Sequence, residues 1–157
     1  MPKPNKTLAM RQLDALGIAY SAVWQDVPTF DSESAARERG LPIEQVVKSL
    51  LVVSPQKRYY LALLQGNRML SLHKLGALFG LKGMSMAPQD AVATVTGYEP
   101  GSVSPFGLKR KLTVVVDEHV LLQETVSISG GRHEAAIGLK PEDLVRGTGA
   151  QVADITQ

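Results

Sequence analysis

The chain has 157 residues, 44% of them hydrophobic and 20% charged. That balance excludes a disordered polymer and is enough for one domain to bury roughly two-thirds of its unfolded surface. The formal net charge is only +2, so any grip on nucleic acid must come from a local basic patch rather than overall charge. There is no cysteine, which excludes disulfides, thiol nucleophiles and cysteine-ligated zinc. The N-terminal MPKPNKTLAM has no apolar leader core and no run approaches membrane-spanning length. The expectation is a soluble, cytoplasmic protein folded as a single domain over 1–157.

Taken in order, Thr7 is placed to cap a helix carrying Leu8, Met10, Leu13 and Leu16, with Gly17 to end it. Residues 18–24, IAYSAVW, alternate as a strand does. After a loop, Asp31 or Ser32 can cap a short polar helix that runs through Arg39 and stops at Gly40, and Pro42 suits the first turn of another short helix. Residues 46–54, VVKSLLVVS, put Val46, Lys48, Leu50 and Val52 on one face and Val47, Ser49, Leu51 and Val53 on the other. Both faces are largely apolar, which predicts a strand covered on both sides. SPQKR turns the chain back into YYLALLQG, a hairpin partner. Ser71 caps a helix with Leu72, Leu75, Leu78 and Phe79 as its stripe; a short strand in KGMSMA and the helix PQDAVATVT follow. Beyond residue 111 come the strands KLTVVVD, ETVSIS and HEAAIGL and the helix PEDLVRGTG, with Pro141 in its first turn and Glu142 and Asp143 near its positive end. The fold class this predicts is mixed α/β: one central, curled, mostly antiparallel sheet of about six strands with helices packed around it.

Three stretches can carry chemistry. Residues 97–111, GYEPGSVSPFGLKRK, form a loop of three glycines, two prolines and two serines that ends in basic residues. Such a loop presents main-chain N–H and C=O groups that side chains do not crowd. Lys48 stands among Val and Leu in its strand. An ammonium on a covered face needs an anion or carbonyl oxygens for company, and at the rim of a pocket it can polarise an ester carbonyl. The turn Ser129–Gly130–Gly131–Arg132 can leave N–H groups free to hold an oxyanion, with a hydroxyl beside them. His73, His119 and His133 are scattered and form no metal-ligand spacing, His133 alone lying next to that turn. No Ser–His–Asp pattern, nucleophile elbow, Walker loop or GxGxxG is present. Neither a metal nor a cofactor is expected.

Taken together, VVKSLLV, GYEPGSVSPFG with the basic residues after it, the strand ending in Asp117, and TVSISGG leading into PEDLVRGTGAQVADIT resemble the YbaK/ProX family of freestanding aminoacyl-tRNA deacylases. That family is related to the editing domain inserted in bacterial prolyl-tRNA synthetase. The resemblance runs from about Leu8 to Thr156 and implies hydrolysis of the ester between a wrong amino acid and the terminal adenosine of tRNA. It implies Lys48 as the residue most tied to activity. It also implies that the glycine loop, including Gly101, and the turn at Ser129 and Gly130 line the place of the ribose and aminoacyl carbonyl, and that the segment around Phe30 forms a lip; Gly97, Ser102, Gly131 and His133 join them as substrate-binding candidates. In the Cys-tRNA branch an aspartate follows the turn by a few residues; here the place reads Ala135–Ala136, which weakens the case for cysteine as the amino acid removed.

Lys57, Arg58, Lys109, Arg110, Lys111 and Arg132 are candidates for tRNA phosphates. The partner expected is the acceptor end of aminoacyl-tRNA, with prolyl-tRNA synthetase as a candidate second one. Two other readings stand beside the enzyme: a non-catalytic module that binds the acceptor end, and a binder of some other nucleotide or small molecule.

Overall fold

A computed structural model describes residues 5–157. Residues 1–4, the start of the N-terminal stretch expected to carry no leader, lie outside the described residues. The elements run α1 (Leu8–Leu16), β1 (Ser21–Trp24), α2 (Ser32–Arg39), a 3-10 turn (Ile43–Gln45), β2 (Val47–Val53), β3 (Tyr59–Gln65), α3 (Leu72–Leu78), β4 (Ser85–Met86) and α4 (Gln89–Thr96). They continue with β5 (Thr113–Asp117), a second 3-10 turn (Glu118–Leu122), β6 (Val126–Ser129), β7 (Ala135–Leu139), α5 (Pro141–Thr148) and β8 (Gln151–Ala153).

The helix ends follow their capping residues. Thr7 Oγ1 accepts the Met10 N–H at 3.2 Å, and Asp31 Oδ1 accepts the Ser34 N–H at 2.7 Å. Ser71 Oγ accepts the Lys74 N–H at 3.1 Å. Each cap satisfies a donor that the first helical turn leaves without a partner. In α1 the buried stripe is narrower than the apolar pattern implies: Ala9, Met10 and Leu13 are buried, while Leu8 and Leu16 are exposed.

One sheet has the order β4-β2-β3-β5-β8, the other β1-β7-β6. β2 pairs antiparallel with β3 and β4, whereas β3–β5 and β5–β8 are parallel. The smaller sheet is antiparallel throughout. Among the described residues a single parallel bridge, between Val46 and Ser127, joins the two sheets. The mixed α/β class and its mostly antiparallel pairing are as expected. The sheet count differs: eight strands in two sheets among the described residues, not about six in one. β4, two residues long, falls in the short strand expected in KGMSMA; β8 has no counterpart among the expected strands, being three residues long and too short for alternation to show in the chain.

β2 is covered on both faces, as its sequence requires. Val47 and Leu51 pack with Leu13, Leu61, Phe106, Ile128 and Ile137, while Val52 packs with Tyr60, Leu64, Leu75 and Ile155 on the other side. Burying each such side chain contributes roughly 1.5–3 kcal/mol, so this double contact fixes β2 firmly. The C-terminal segment is tied to β5 by buried Asp117, whose Oδ1 accepts the Ile155 N–H at 3.0 Å. Among the described residues, no helix is long and apolar enough to cross a membrane.

Candidate active site

Among the described residues the β-bridge between the two sheets is Val46–Ser127, just before β2. Beyond that point a cavity of about 660 Å³ opens, walled by Val46, Val47 to Leu50 of β2, Ser129 at the end of β6, and Gly66 just past β3. The first turns of α2, the segment Thr29–Asp31 before it, and Gly101 and Val103 of the glycine loop close it. Lys48, Phe30, Gly101 and Ser129, four residues singled out from the sequence, therefore share one cavity.

Lys48 is half-buried on β2. Its Nζ donates to the Arg68 carbonyl at 2.6 Å and the Gly66 carbonyl at 3.3 Å. Burial pushes its pKa below the ordinary 10.5, because an ammonium withdrawn from water loses hydration that two carbonyls replace only in part. Among the described residues no carboxylate pairs with it. Two of its three N–H groups are used, and the third is left for a ligand.

The β2 edge beside Lys48 is the main-chain surface of the cavity. The Leu51 carbonyl accepts the Ala87 N–H and so points away from β3. By the alternation of an antiparallel ladder, the N–H and C=O of Ser49 point the same way. β4 pairs with this edge only at Val52 and Val53, and Ser49 lies on the cavity wall. Its Oγ is also the one buried side-chain polar atom without a hydrogen-bond partner among the described residues. Nothing in VVKSLLV distinguishes Ser49 as a site residue; only its place on the cavity wall and its unpartnered Oγ do.

Gly101 has φ +86°, and a Cβ there would stand 3.0 Å from the Phe30 carbonyl oxygen and 3.5 Å from His133 Nε2. Only glycine lets the loop lie this close to the Phe30 segment. Phe30 itself is 64% exposed at the rim, its ring 4.3 Å from that of His133. His133 donates through Nε2 to the Pro100 carbonyl at 3.1 Å. It fastens the rim to the loop and does not line the cavity.

The turn at 129–131 corrects the expectation of free donors. Gly130 N–H donates to the Ala135 carbonyl at 2.8 Å, and Gly131 N–H donates to Ser129 Oγ at 3.1 Å. Neither is free for an oxyanion. Ser129 Oγ in turn donates to the Ser102 carbonyl at 2.9 Å, so the turn buttresses the glycine loop from behind. Ser102 is buried, its hydroxyl spent on the Glu99 carbonyl. Gly97, at φ +82°, ends α4 against Lys109. Gly97, Ser102, Gly130, Gly131 and His133 thus stand behind or beside the cavity and not on its wall.

The basic candidates divide. Arg58, Lys109, Arg110 and Lys111 are exposed, with the Arg110 guanidinium 5.0 Å over the Tyr59 ring. Tyr59 pairs with Val53, whereas Lys48 pairs with Leu64, so this group lies roughly 17 Å along the hairpin from Lys48 at about 3.3 Å per residue. Arg132, next to the turn, lies 6.0 Å over the Trp24 ring and 3.8 Å from Glu134. Sequence reasoning missed Arg37 and Arg39, which line the cavity; at the end of a polar helix they read as solvated charge. The fold also gathers ligand atoms of Asp117, His119 and Asp154 within 4.8 Å of one another. Their oxygens are engaged by the Ile155 and Thr156 N–H groups, the His119 ring and the Lys74 ammonium, and none of them lines the cavity.

Residues 26–146 match the family described as the aminoacyl-tRNA editing domain. The chain is 29% identical over 155 residues to EbsC of Enterococcus faecalis, a proposed Cys-tRNA(Pro)/Cys-tRNA(Cys) deacylase, covering 97% of this chain and 94% of that one. A 78-residue stretch is 36% identical to the proline–tRNA ligase of Trichlorobacter lovleyi, half of this chain but 14% of the ligase. The fold superposes on the crystal structure of a proposed trans-editing enzyme for prolyl-tRNA synthetase with a TM-score of 0.88 and 31% identity, over 98% of this chain and 99% of the other. The cavity, the strand that carries Lys48 and the glycine loop all fall within the matched residues, and the chain belongs to the aminoacyl-tRNA editing domain family.

Proposed function

We propose that this protein is an aminoacyl-tRNA deacylase that clears mischarged tRNA, with acceptor ends of the tRNA(Pro) type as its substrates and the whole chain acting as one freestanding editing unit. The observation that carries the reading is the shared cavity. In a chain of the editing family, a half-buried ammonium, the strand segment around Ser49 and an exposed aromatic rim meet in a space of about 660 Å³, within the roughly 300–1,000 Å³ usual for ligand sites.

The geometry supports the following roles. Phe30 offers a ring face on which the terminal adenine stacks. Gly101 leaves room for the ribose to approach the main chain. Lys48 Nζ and the Ser49 N–H stabilise the carbonyl oxygen as it gains charge, the kind of donor whose loss costs on the order of 10²–10³ in rate. Water adds to the ester carbon, the bond to the ribose oxygen breaks, and the proton released by the water ends on that oxygen, relayed by solvent or by the vicinal ribose hydroxyl. An aminoacyl ester is already activated, so positioning and charge stabilisation suffice without a protein nucleophile.

Arg58, Lys109, Arg110 and Lys111 are placed for phosphates of the acceptor stem, and Arg132 for those nearer the terminus. Prolyl-tRNA synthetase is the partner that would generate the mischarged substrate. Neither alanine at the departure from the Cys-tRNA branch lines the Lys48 cavity: Ala135 is core and Ala136 lies on the outer face of the smaller sheet.

A panel of mischarged tRNAs tests the reading. Release of free amino acid from at least one of them is the expected outcome. Retention of the charged tRNA without release would replace the enzyme by a module that only binds the acceptor end.

A further inference from the structure

A second cavity, of about 480 Å³, lies on the outer face of the smaller sheet. Its floor is built from small residues of β1, β6 and β7, among them Ser21, Ser127, Ala136 and Gly138, with Tyr20 and Lys140 also in its lining. The floor is necessarily shallow in side chain: a Cβ on Gly138 would come 2.7 Å from Ser21 Oγ. The two cavities have one lining residue in common, Arg39.

Arg39 is held at this divide by neutral partners. Its Nε donates to Gln25 Oε1 at 2.8 Å and its Nη1 to Ser127 Oγ at 3.1 Å. Among the described residues no carboxylate pairs with it, although burial is deep enough to lower its pKa to about 10. A guanidinium carries five N–H donors, and the protein engages two. A desolvated cation in that state calls for an anion, and the planar fork of arginine fits a phosphate. The anion it fits here sits between two compartments, so the ligand has two lobes joined by a negative charge.

We infer that the second cavity receives the penultimate nucleotide of the tRNA acceptor end while the first receives the terminal aminoacyl-adenosine, with Arg39 on the phosphodiester that links them. The base of the penultimate nucleotide lies over the small-residue floor beside the Tyr20 ring, where stacking is available, and Lys140 adds a second cation toward the preceding phosphate. This rests on the deacylase reading above and extends it from a nucleoside site to a dinucleotide site.

Two esters of the amino acid that the tRNA panel releases fastest test it: the 3′-aminoacyl ester of adenosine and that of cytidylyl-adenosine. The parent protein should hydrolyse the dinucleotide ester with kcat/KM roughly tenfold higher or more, chiefly through KM, as a charge-assisted contact predicts. In Arg39→Gln that ratio should fall to within about threefold, and Tyr20→Ala should lower it in the same direction. Equal kcat/KM for the two esters in the parent protein would overturn the dinucleotide site even if no variant folds, and so would an unchanged ratio in a folded Arg39→Gln. Hydrolysis of the tRNA with no preference between the esters leaves the deacylase reading standing and removes this one. Hydrolysis of none of the three substrates removes both.

Discussion

Lys48 shows what a single position can and cannot disclose. An ammonium flanked by Val and Leu on a doubly covered strand is conspicuous in the sequence, because burial of a charge demands compensation. What compensates it is not visible there, since the Gly66 and Arg68 carbonyls come 18 and 20 residues later and reach Nζ only through the hairpin. The glycines at 130 and 131 illustrate the opposite case. They read as free donors, yet the turn that brings them together also consumes their N–H groups. Burial lowers the Lys48 pKa, so the folded chain holds that proton less tightly than the unfolded chain. Between the lowered value and the unfolded one near 10.5, stability therefore rises with pH on account of this group. Catalysis that needs the ammonium has the other sign and falls as pH rises through the lowered value. NMR titration of the Lys48 side chain should give a midpoint below 10.5, with deacylation declining through the same midpoint; a midpoint at or above that value would contradict the burial argument.

At the scale of elements, the helices were the most legible part, because their ends are written in side chains that cap them. Thr7 with Gly17, Asp31 with Gly40, and Ser71 all act where the chain indicates. The strands were legible where alternation runs for several residues, and the short β4 was found as well, but the three-residue β8 was not. The pairing of β1 with β7, whose partners are separated by more than a hundred residues (Ser21 with Gly138), leaves no local trace at all. α2 links stability to the site, since its first turn forms one wall of the cavity. Asp31→Ala removes the cap that binds the Ser34 N–H and should cost about 1 kcal/mol of stability. Its urea midpoint should fall while KM for deacylation rises, because the wall frays. An unchanged midpoint would mean that the cap does not hold the helix.

On the scale of the whole molecule, the overall charge says little and its placement says more. Arg58 and the run Lys109, Arg110, Lys111 stand at one end of the β2–β3 hairpin and the cavity at the other, an arrangement that suits a ligand extending from a buried terminus along an exposed stem. Replacing Lys109, Arg110 and Lys111 by glutamine should weaken tRNA binding and flatten its dependence on log salt by up to about 0.9 for each phosphate no longer neutralised. An unchanged slope, measured by titration at several salt concentrations, would place the stem elsewhere. The arrangement of the two sheets was only partly legible. The mixed α/β class follows from the order of elements, but the join between the two sheets is one bridge, Val46 to Ser127, that no pattern along the chain announces.

The proposed chemistry turns on one cation acting on one ester. Single-turnover deacylation of the tRNA that the panel identifies, compared between the parent protein and a folded Lys48→Ala, tests it most directly. The expected result is a loss of at least about tenfold in the hydrolytic rate, equivalent to roughly 1.4 kcal/mol or more of barrier stabilisation. A Lys48→Ala protein that folds normally and hydrolyses the ester as fast as the parent would contradict it.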